Sequence, residues 1–321
     1  MKRDPVPSAL QALAEAARRP HDPATLALVR ESLAHRSNHV VARAARAARE
    51  AELSALAANL IAAFPRFLED PIRRDPGCVA KTEIAHALLS LECPSPDVHL
   101  AGARHVQREP AFGEPIDTAV ELRGISAMAL VTTQHPAALP VCVDLLVDRE
   151  PEARAGALRA LGASGRPDVA LVLRHFVLRG EREPGVLAEA FGGLIVLAPD
   201  EESVLLVAER LAVADDDVAR AAAAALGEAR RPDAARALRG RLPREDRSDV
   251  RHALILALAT SRQDEAFDVL VDLVARGSEA DSRAALDAVR LYPHDETLQQ
   301  RIQAAMQERR PPRPARRERK R

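Results

Sequence analysis

Hydrophobic and polar positions along this chain recur on a helical beat, and one helical phrase is repeated. In residues 215–238, DDDVARAAAAALGEARRPDAARAL, an acidic opening precedes an alanine-rich stretch that closes at Leu226 and Gly227. A short polar turn at Arg231 and Pro232 then leads into a second apolar-periodic stretch. The pattern predicts a helix, a tight turn and a partner helix. When the copies are aligned on the residue closing the first helix, the anchors are Ala48, Leu88, Leu130, Leu161, Leu194, Leu226, Leu258 and Arg290. Their spacings are 40, 42, 31, 33, 32, 32 and 32 residues. A period of this size marks an array of helical hairpins, none of which can bury its apolar face alone.

Helix-start chemistry agrees with the period. Ten residues before the anchor stands Pro151, Pro184, Asp216 or Ser248, each suited to a helix start as a first-turn proline or a capping oxygen. Residues 1–35 are predicted as a helical N-terminal cap: Ser8–Arg19, with Ser8 as N-cap, and Pro23–His35. The array itself is expected over 36–306, irregular over 36–130 and regular over 131–306. Its first copy, VVARAARAA (40–48), has a predicted partner helix over Leu53–Phe64. The connector PRFLEDPIRRDPGC follows, whose prolines exclude a long helix. Pro96–Arg108 reads as the next partner helix. A second connector, EPAFGEP (109–115), precedes TAVELRGISAMAL (118–130).

The phrases ARAGALRALG (153–162) and VARAAAAALG (218–227) resemble HEAT repeats, particularly the short bacterial, phycobilisome-lyase-like kind. The chain has no Trp, which argues against tetratricopeptide repeats, and no TPLH, which argues against ankyrin repeats. The resemblance covers roughly residues 36–306 and implies an all-α fold, a right-handed α-solenoid of about eight HEAT-like helical hairpins. For function it is nearly silent, because such repeats serve as scaffolds in unrelated contexts.

Composition fits this picture. Roughly a fifth of the residues are Ala, the best helix former, so the core should be built from closely approaching helices. The net charge of −1 conceals an asymmetry. Residues 308–321 carry eight Arg or Lys against two Glu, leaving 38 bases and 45 acids elsewhere. Residues 307–321 are expected to form a disordered basic tail, with Arg309, Arg310, Arg313, Arg316, Arg317, Arg319, Lys320 and Arg321 available to nucleic acid or an anionic surface. A tail folded back on the acidic body is the other reading, and the absence of aromatics there argues against base stacking. Three cysteines without CxxC spacing imply a reducing compartment, and the lack of an apolar leader or membrane span implies a cytoplasmic protein.

Candidate chemistry is sparse. A basic residue stands seven before the anchor at Lys81, Arg123, Arg154, Arg251 and Arg283. These cations sit in the first helical turn, against the macrodipole, and so need compensation. The HEAT resemblance implies an inter-repeat ladder, with Asp117, Asp148, Asp217, Asp249 and Asp281 as available partners. A basic face for phosphates or acidic partners is the alternative. Cys78, His86, Cys93, His99 and His105 crowd the irregular half, but their spacings match no zinc pattern, so no metal and no cofactor is expected. In HVQREPAFGEPID (105–117), the residues His105, Gln107, Glu109, Phe112 and Glu114 form the candidate partner-binding site. Phe112 there either meets a partner or tucks under the array to fill the gap left by the irregular repeat.

No catalytic grouping, phosphate loop or HExxH is present, so a non-catalytic scaffold binding an unknown protein is expected. It would bind through a groove on the second helices and the irregular loop. Nucleic-acid binding through the tail is one alternative. The HEAT resemblance supplies another, a lyase or chromophore-handling role, which requires a reactive Cys or His.

Overall fold

A computed structural model of the chain describes residues 5–20 and 22–309. It divides into two compact units, Met1–Val169 and Ala170–Arg321. Along the sequence the helices come as an N-terminal pair followed by eight further pairs, with one short helix intervening. The only strands among the described residues form one two-stranded ribbon.

In unit 1 the helices are α1 (Pro5–Ala16), α2 (Pro23–Leu33), α3 (Asn38–Glu50), α4 (Ala57–Ala63) and the one-turn α5 (Pro71–Arg74). They continue with α6 (Val79–Ser90), α7 (Pro96–Arg104), α8 (Val120–Thr132), α9 (Ala138–Leu145) and α10 (Pro151–Gly162). The first helices α3, α6, α8 and α10 pack side by side in sequence order. Partner helices close the other side, α4 against α6, α7 against α8 and α9 against α10. Unit 2 continues with α11 (Ala170–Arg179), α12 (Pro184–Leu197), α13 (Glu201–Ala208), α14 (Asp216–Glu228) and α15 (Pro232–Arg241). Its last helices are α16 (Ser248–Ser261), α17 (Asp264–Arg276), α18 (Glu279–Val289) and α19 (Glu296–Glu308). There α12, α14, α16 and α18 stack as first helices, and α13, α15, α17 and α19 as seconds. Each unit is therefore an all-α stack of hairpins in which every hairpin touches its sequence neighbour, as a repeat array requires.

The anchor register holds in burial. Ala48, Leu88, Leu130, Leu161, Leu194, Leu226 and Leu258 are all within 1% of complete burial. Arg290 is the exception: it lies just past α18 with its side chain largely exposed, and Val289 takes the buried place. Helices α10, α12, α14 and α16 begin at Pro151, Pro184, Asp216 and Ser248. The capping oxygen is displaced by one residue. Asp215 accepts the backbone N–H bonds of Asp217 and Val218, while the Ser248 hydroxyl donates to Asp249 instead. At the N-terminus α1 begins at Pro5, which places Ser8 inside the helix rather than at its cap. For α2 the cap is Asp22, and Pro23 occupies the first turn.

Two boundaries differ for a tertiary reason. Helix α7 stops at Arg104, not Arg108, because residues 108–109 leave the helix and pair as strand β1 (Arg108–Glu109) with β2 (Ile116–Asp117). At the other end α19 runs to Glu308, past the expected limit of 306. Of the eight basic candidates in the tail only Arg309 lies among the described residues. It is held, its guanidinium donating to the Val274 carbonyl at 2.9 Å. The candidates from Arg310 to Arg321 fall outside the described residues.

Candidate functional site

The connector that precedes α6 contains Asp75, which is completely buried. One of its carboxylate oxygens accepts the Ala80 N–H at 2.9 Å, and the other accepts the Lys81 N–H at 3.1 Å. Asp75 thus caps the first turn of α6, where backbone donors have no helical acceptor. The Lys81 ammonium, also 0% exposed, lies 2.9 Å from Asp75 and donates to the Phe67 carbonyl at 3.1 Å. The arrangement recurs one repeat on. Asp117 accepts the Ala119 N–H at 3.0 Å, and its other oxygen pairs with buried Arg123 at 2.8 Å. Burial raises the Asp117 carboxyl, but the backbone N–H bonds of Ala119 and Gln107 and the Arg123 bond outweigh it and hold it below the usual range. Arg123 also reaches Asp148 of the next repeat at 2.9 Å.

These two capped cations fix the ribbon between them. Gln107 is buried; its amide donates to the Asp75 carbonyl at 2.8 Å and to Glu109 at 2.6 Å. Glu109 further accepts the Gly77 N–H at 2.7 Å and the Thr118 hydroxyl at 2.7 Å. The His105 carbonyl accepts from Arg123 at 3.0 Å, and its imidazole meets Gln107 at 3.2 Å, while burial pushes the ring below its ordinary pKa. The base of the ribbon is therefore pinned by buried polar groups. Its tip is not, and its outer side is open: Val106, Ile116 and Glu114 are exposed, and Phe112 is fully exposed beside Gly113, whose φ is 117°. Of the two alternatives for Phe112, the ring does not tuck under the array. Gln107 fills the space below, because the Asp75 carbonyl needs a donor that a phenyl ring cannot give.

The pinned base borders a trough on the first helices. Two concavities of about 590 and 630 Å³ share Glu121 as a lining residue. The first is lined by Arg43 and Arg46 of α3, Glu83 of α6, and Gly77 and Thr118, which with Gln107 hold Glu109. Apolar side chains Leu89, Ile125 and Met128 line the second, with His86, Glu152 and Arg159. Glu83 pairs with Arg46 and His86 meets Glu121 at 2.9 Å, so neighbouring first helices are laced across the trough. A groove on the second helices was expected; in unit 1 these concavities lie on the first.

Models of HEAT repeats match residues 116–193 and 204–290, together just over half of the chain. The chain belongs to the HEAT-repeat family. A search of curated proteins found no significant match. Among solved structures, human deoxyhypusine hydroxylase in complex with glycerol aligns at 19% identity over 75% of this chain and 99% of its own, with a TM-score of 0.34. The complex of CpcE and CpcF of phycocyanin lyase from Nostoc sp. aligns at 16% identity over 71% and 88%, with a TM-score of 0.39. An engineered protein aligns at 17% identity over 93% and 94%, with a TM-score of 0.36.

Within this HEAT-repeat chain the cations seven before the anchor differ in what they meet. Arg251 pairs with Asp281 of the following repeat at 2.6 Å and donates to the Leu242 and Glu245 carbonyls. Arg154 donates to the carbonyls of Asp148 and Arg149. Arg283 departs from the ladder: it is exposed and pairs with Glu279 on its own helix, and no first helix follows α18 among the described residues. Asp217 and Asp249 are not ladder partners either, Asp217 pairing with Arg220 and Asp249 accepting from Ser248. The sequence reading missed Asp75. Its spacing of six before Lys81, repeated by Asp117 and Arg123, was the available signal.

The crowded Cys and His residues are dispersed among separate environments. Cys78 and Cys142 are buried, and burial pushes both thiols up to about 12. Cys93 is half-buried, with its thiol directed at the Leu91 carbonyl. His99 is buried and pushed down to about 4 by that burial. Among the described residues, no group of three or more His, Cys, Asp or Glu is placed to hold a metal ion. No helix among them is long and apolar enough to cross a membrane.

Proposed function

We propose that this HEAT-repeat protein is a non-catalytic scaffold that holds a protein partner in the first-helix trough of unit 1, with the ribbon of residues 105–117 as its anchor. The observation that carries this reading is Phe112, wholly exposed at the tip of a ribbon whose base is locked by buried hydrogen bonds. An aromatic held out by a rigid support loses little freedom on contact, which is the arrangement of an interface hot spot. Val106 and Ile116 add exposed apolar surface on the same ribbon. The trough beside it joins apolar floor residues to charges of both signs, suited to a mixed protein surface. The raised thiols of Cys78 and Cys142 are poor nucleophiles, which favours a scaffold over a lyase that works through a thiolate.

The test is affinity capture from the native host with the full chain, followed by binding measurements on purified components. Phe112→Ala and Glu121→Arg should each weaken the captured complex by roughly tenfold or more. Both sites are exposed, so folding should be unchanged. Partners retained at full affinity by both variants would defeat the reading. The basic charge of residues 308–321 supports a second reading, nucleic-acid binding through the tail. It requires nucleic-acid affinity that vanishes on truncation after Arg309 and is unaffected by Phe112→Ala.

A further inference from the structure

A third concavity of unit 1, of about 730 Å³, differs from the trough in its charge. It is bounded by the connection between α2 and α3, the turn around Arg66, and α5. Arg36, Arg66, Arg73 and Arg74 line it, against the single carboxylate of Asp70. The neighbouring trough is balanced where Arg43 and Arg46 face Glu83 and Glu121. Four guanidinium groups around one hollow repel one another unless an anion lies between them.

Two of the four are already engaged. Arg66 donates to the carbonyls of Leu33 at 2.6 Å and Ala34 at 3.1 Å, closing the C-terminal end of α2. Arg74 is held by Glu69 at 2.8 Å and the Arg66 carbonyl at 3.3 Å. The guanidinium groups of Arg36 and Arg73 are exposed and make no ion pair or hydrogen bond among the described residues.

Further donors converge on the same hollow. The Nδ1 of His35 accepts the Ser37 N–H at 3.0 Å, so the neutral ring carries its proton on Nε2 and is a donor there. Ser37 is the N-cap of α3 and makes no side-chain capping bond; the His39 N–H is met by the Asn38 side chain at 2.9 Å, and the positive end of this 13-residue helix borders the hollow.

We propose that this concavity binds a soluble phosphate-bearing anion, gripped directly by Arg36 and Arg73. Arg66 and Arg74 supply fixed flanking charge. A phosphate group offers three terminal oxygens and close to two negative charges, which two guanidinium groups and a helix terminus can share; a carboxylate has too few acceptors for all of them. Asp70 can accept a hydroxyl of a phosphorylated polyol. Phe67 is buried, so its ring is not offered to a nucleobase. This ligand is independent of the partner proposed for the trough.

Isothermal titration calorimetry on the full chain tests it, with tripolyphosphate, a sugar bisphosphate and inositol hexakisphosphate as probes. At least one should bind saturably at one site, roughly tenfold or more weaker in the R36A/R73A double variant. The R36K/R73K variant should recover part of the loss. The R236A/R244A variant removes two exposed arginines elsewhere, changes net charge equally, and should bind as wild type. Equal binding by wild type and R36A/R73A, or no saturable binding of any probe, overturns the proposal. Flotation with phosphatidylcholine vesicles containing phosphatidylinositol bisphosphate separates the sources: binding there, with none to the soluble probes, would replace the soluble anion by a lipid headgroup and overturn it as stated.

Discussion

Asp75 and Lys81 form an ion pair from which solvent is wholly excluded, 2.9 Å apart with both side chains 0% exposed. The pair persists because each charge has further partners: Asn38 and two backbone N–H groups on Asp75, and the Phe67 carbonyl on Lys81. Removing one member strands the other in a medium that cannot solvate it. Lys81→Met and Asp75→Asn should each lower unfolding free energy by about 3–5 kcal/mol, read from denaturant midpoints. The double variant should lose less than the sum of the two, since no lone charge remains. Additive losses would show that the coupling is absent.

Two glycines should respond to alanine in opposite directions. A β-carbon on Gly156 would lie 2.6 Å from the Gly124 Cα, so α8 and α10 touch through backbone. Gly156→Ala must push the helices apart, and should cost roughly 1–3 kcal/mol. A β-carbon on Gly192, within α12, meets nothing within 4 Å. Gly192→Ala should stabilise by about 0.5–1 kcal/mol through helix propensity and a less free unfolded chain. Thermal unfolding of both variants distinguishes close approach from mere helix preference.

His99 should make stability depend on pH. Burial holds its pKa near 4 in the folded chain, against 6.5 for an ordinary imidazole, and its Nδ1 finds no hydrogen-bond partner. The unfolded state therefore binds more protons between these values. The contribution is fully present above pH 6.5 and is lost as pH falls toward 4. The loss is on the order of 3 kcal/mol. His99→Leu should flatten that part of the stability profile, and an unchanged slope in denaturant titrations across the window would contradict the assignment.

The three cysteines should differ in reactivity. Cys78 and Cys142 are completely buried and Cys93 is only half-buried. A thiol reagent at neutral pH should label one cysteine in the native protein, slowly because burial also raises the Cys93 thiol. Denaturant should release the other two. Cys93→Ser should abolish native labelling, and mass spectrometry of the labelled peptides would reveal any other order.

Periodicity alone was sufficient for the hairpin stack. A phrase recurring every 32 residues states which positions must be buried, and the anchors from Ala48 to Leu258 are buried accordingly. The rule failed at Arg290 and Arg283: a repeat's inner positions are defined by its neighbour, and among the described residues no first helix follows α18. Sequence also located the irregular segment 105–117, since prolines and glycine interrupt the beat there.

What that segment does was decided in three dimensions. Phe112 and Gln107, both candidates for one site, are separated: the amide goes inside, where it donates to the Asp75 carbonyl 32 residues away in sequence, and the ring is left outside. The trough and the arginine hollow are likewise assembled from residues in different repeats. A one-dimensional period ranks positions by local burial, but it cannot say which distant carbonyl, carboxylate or guanidinium will stand opposite them.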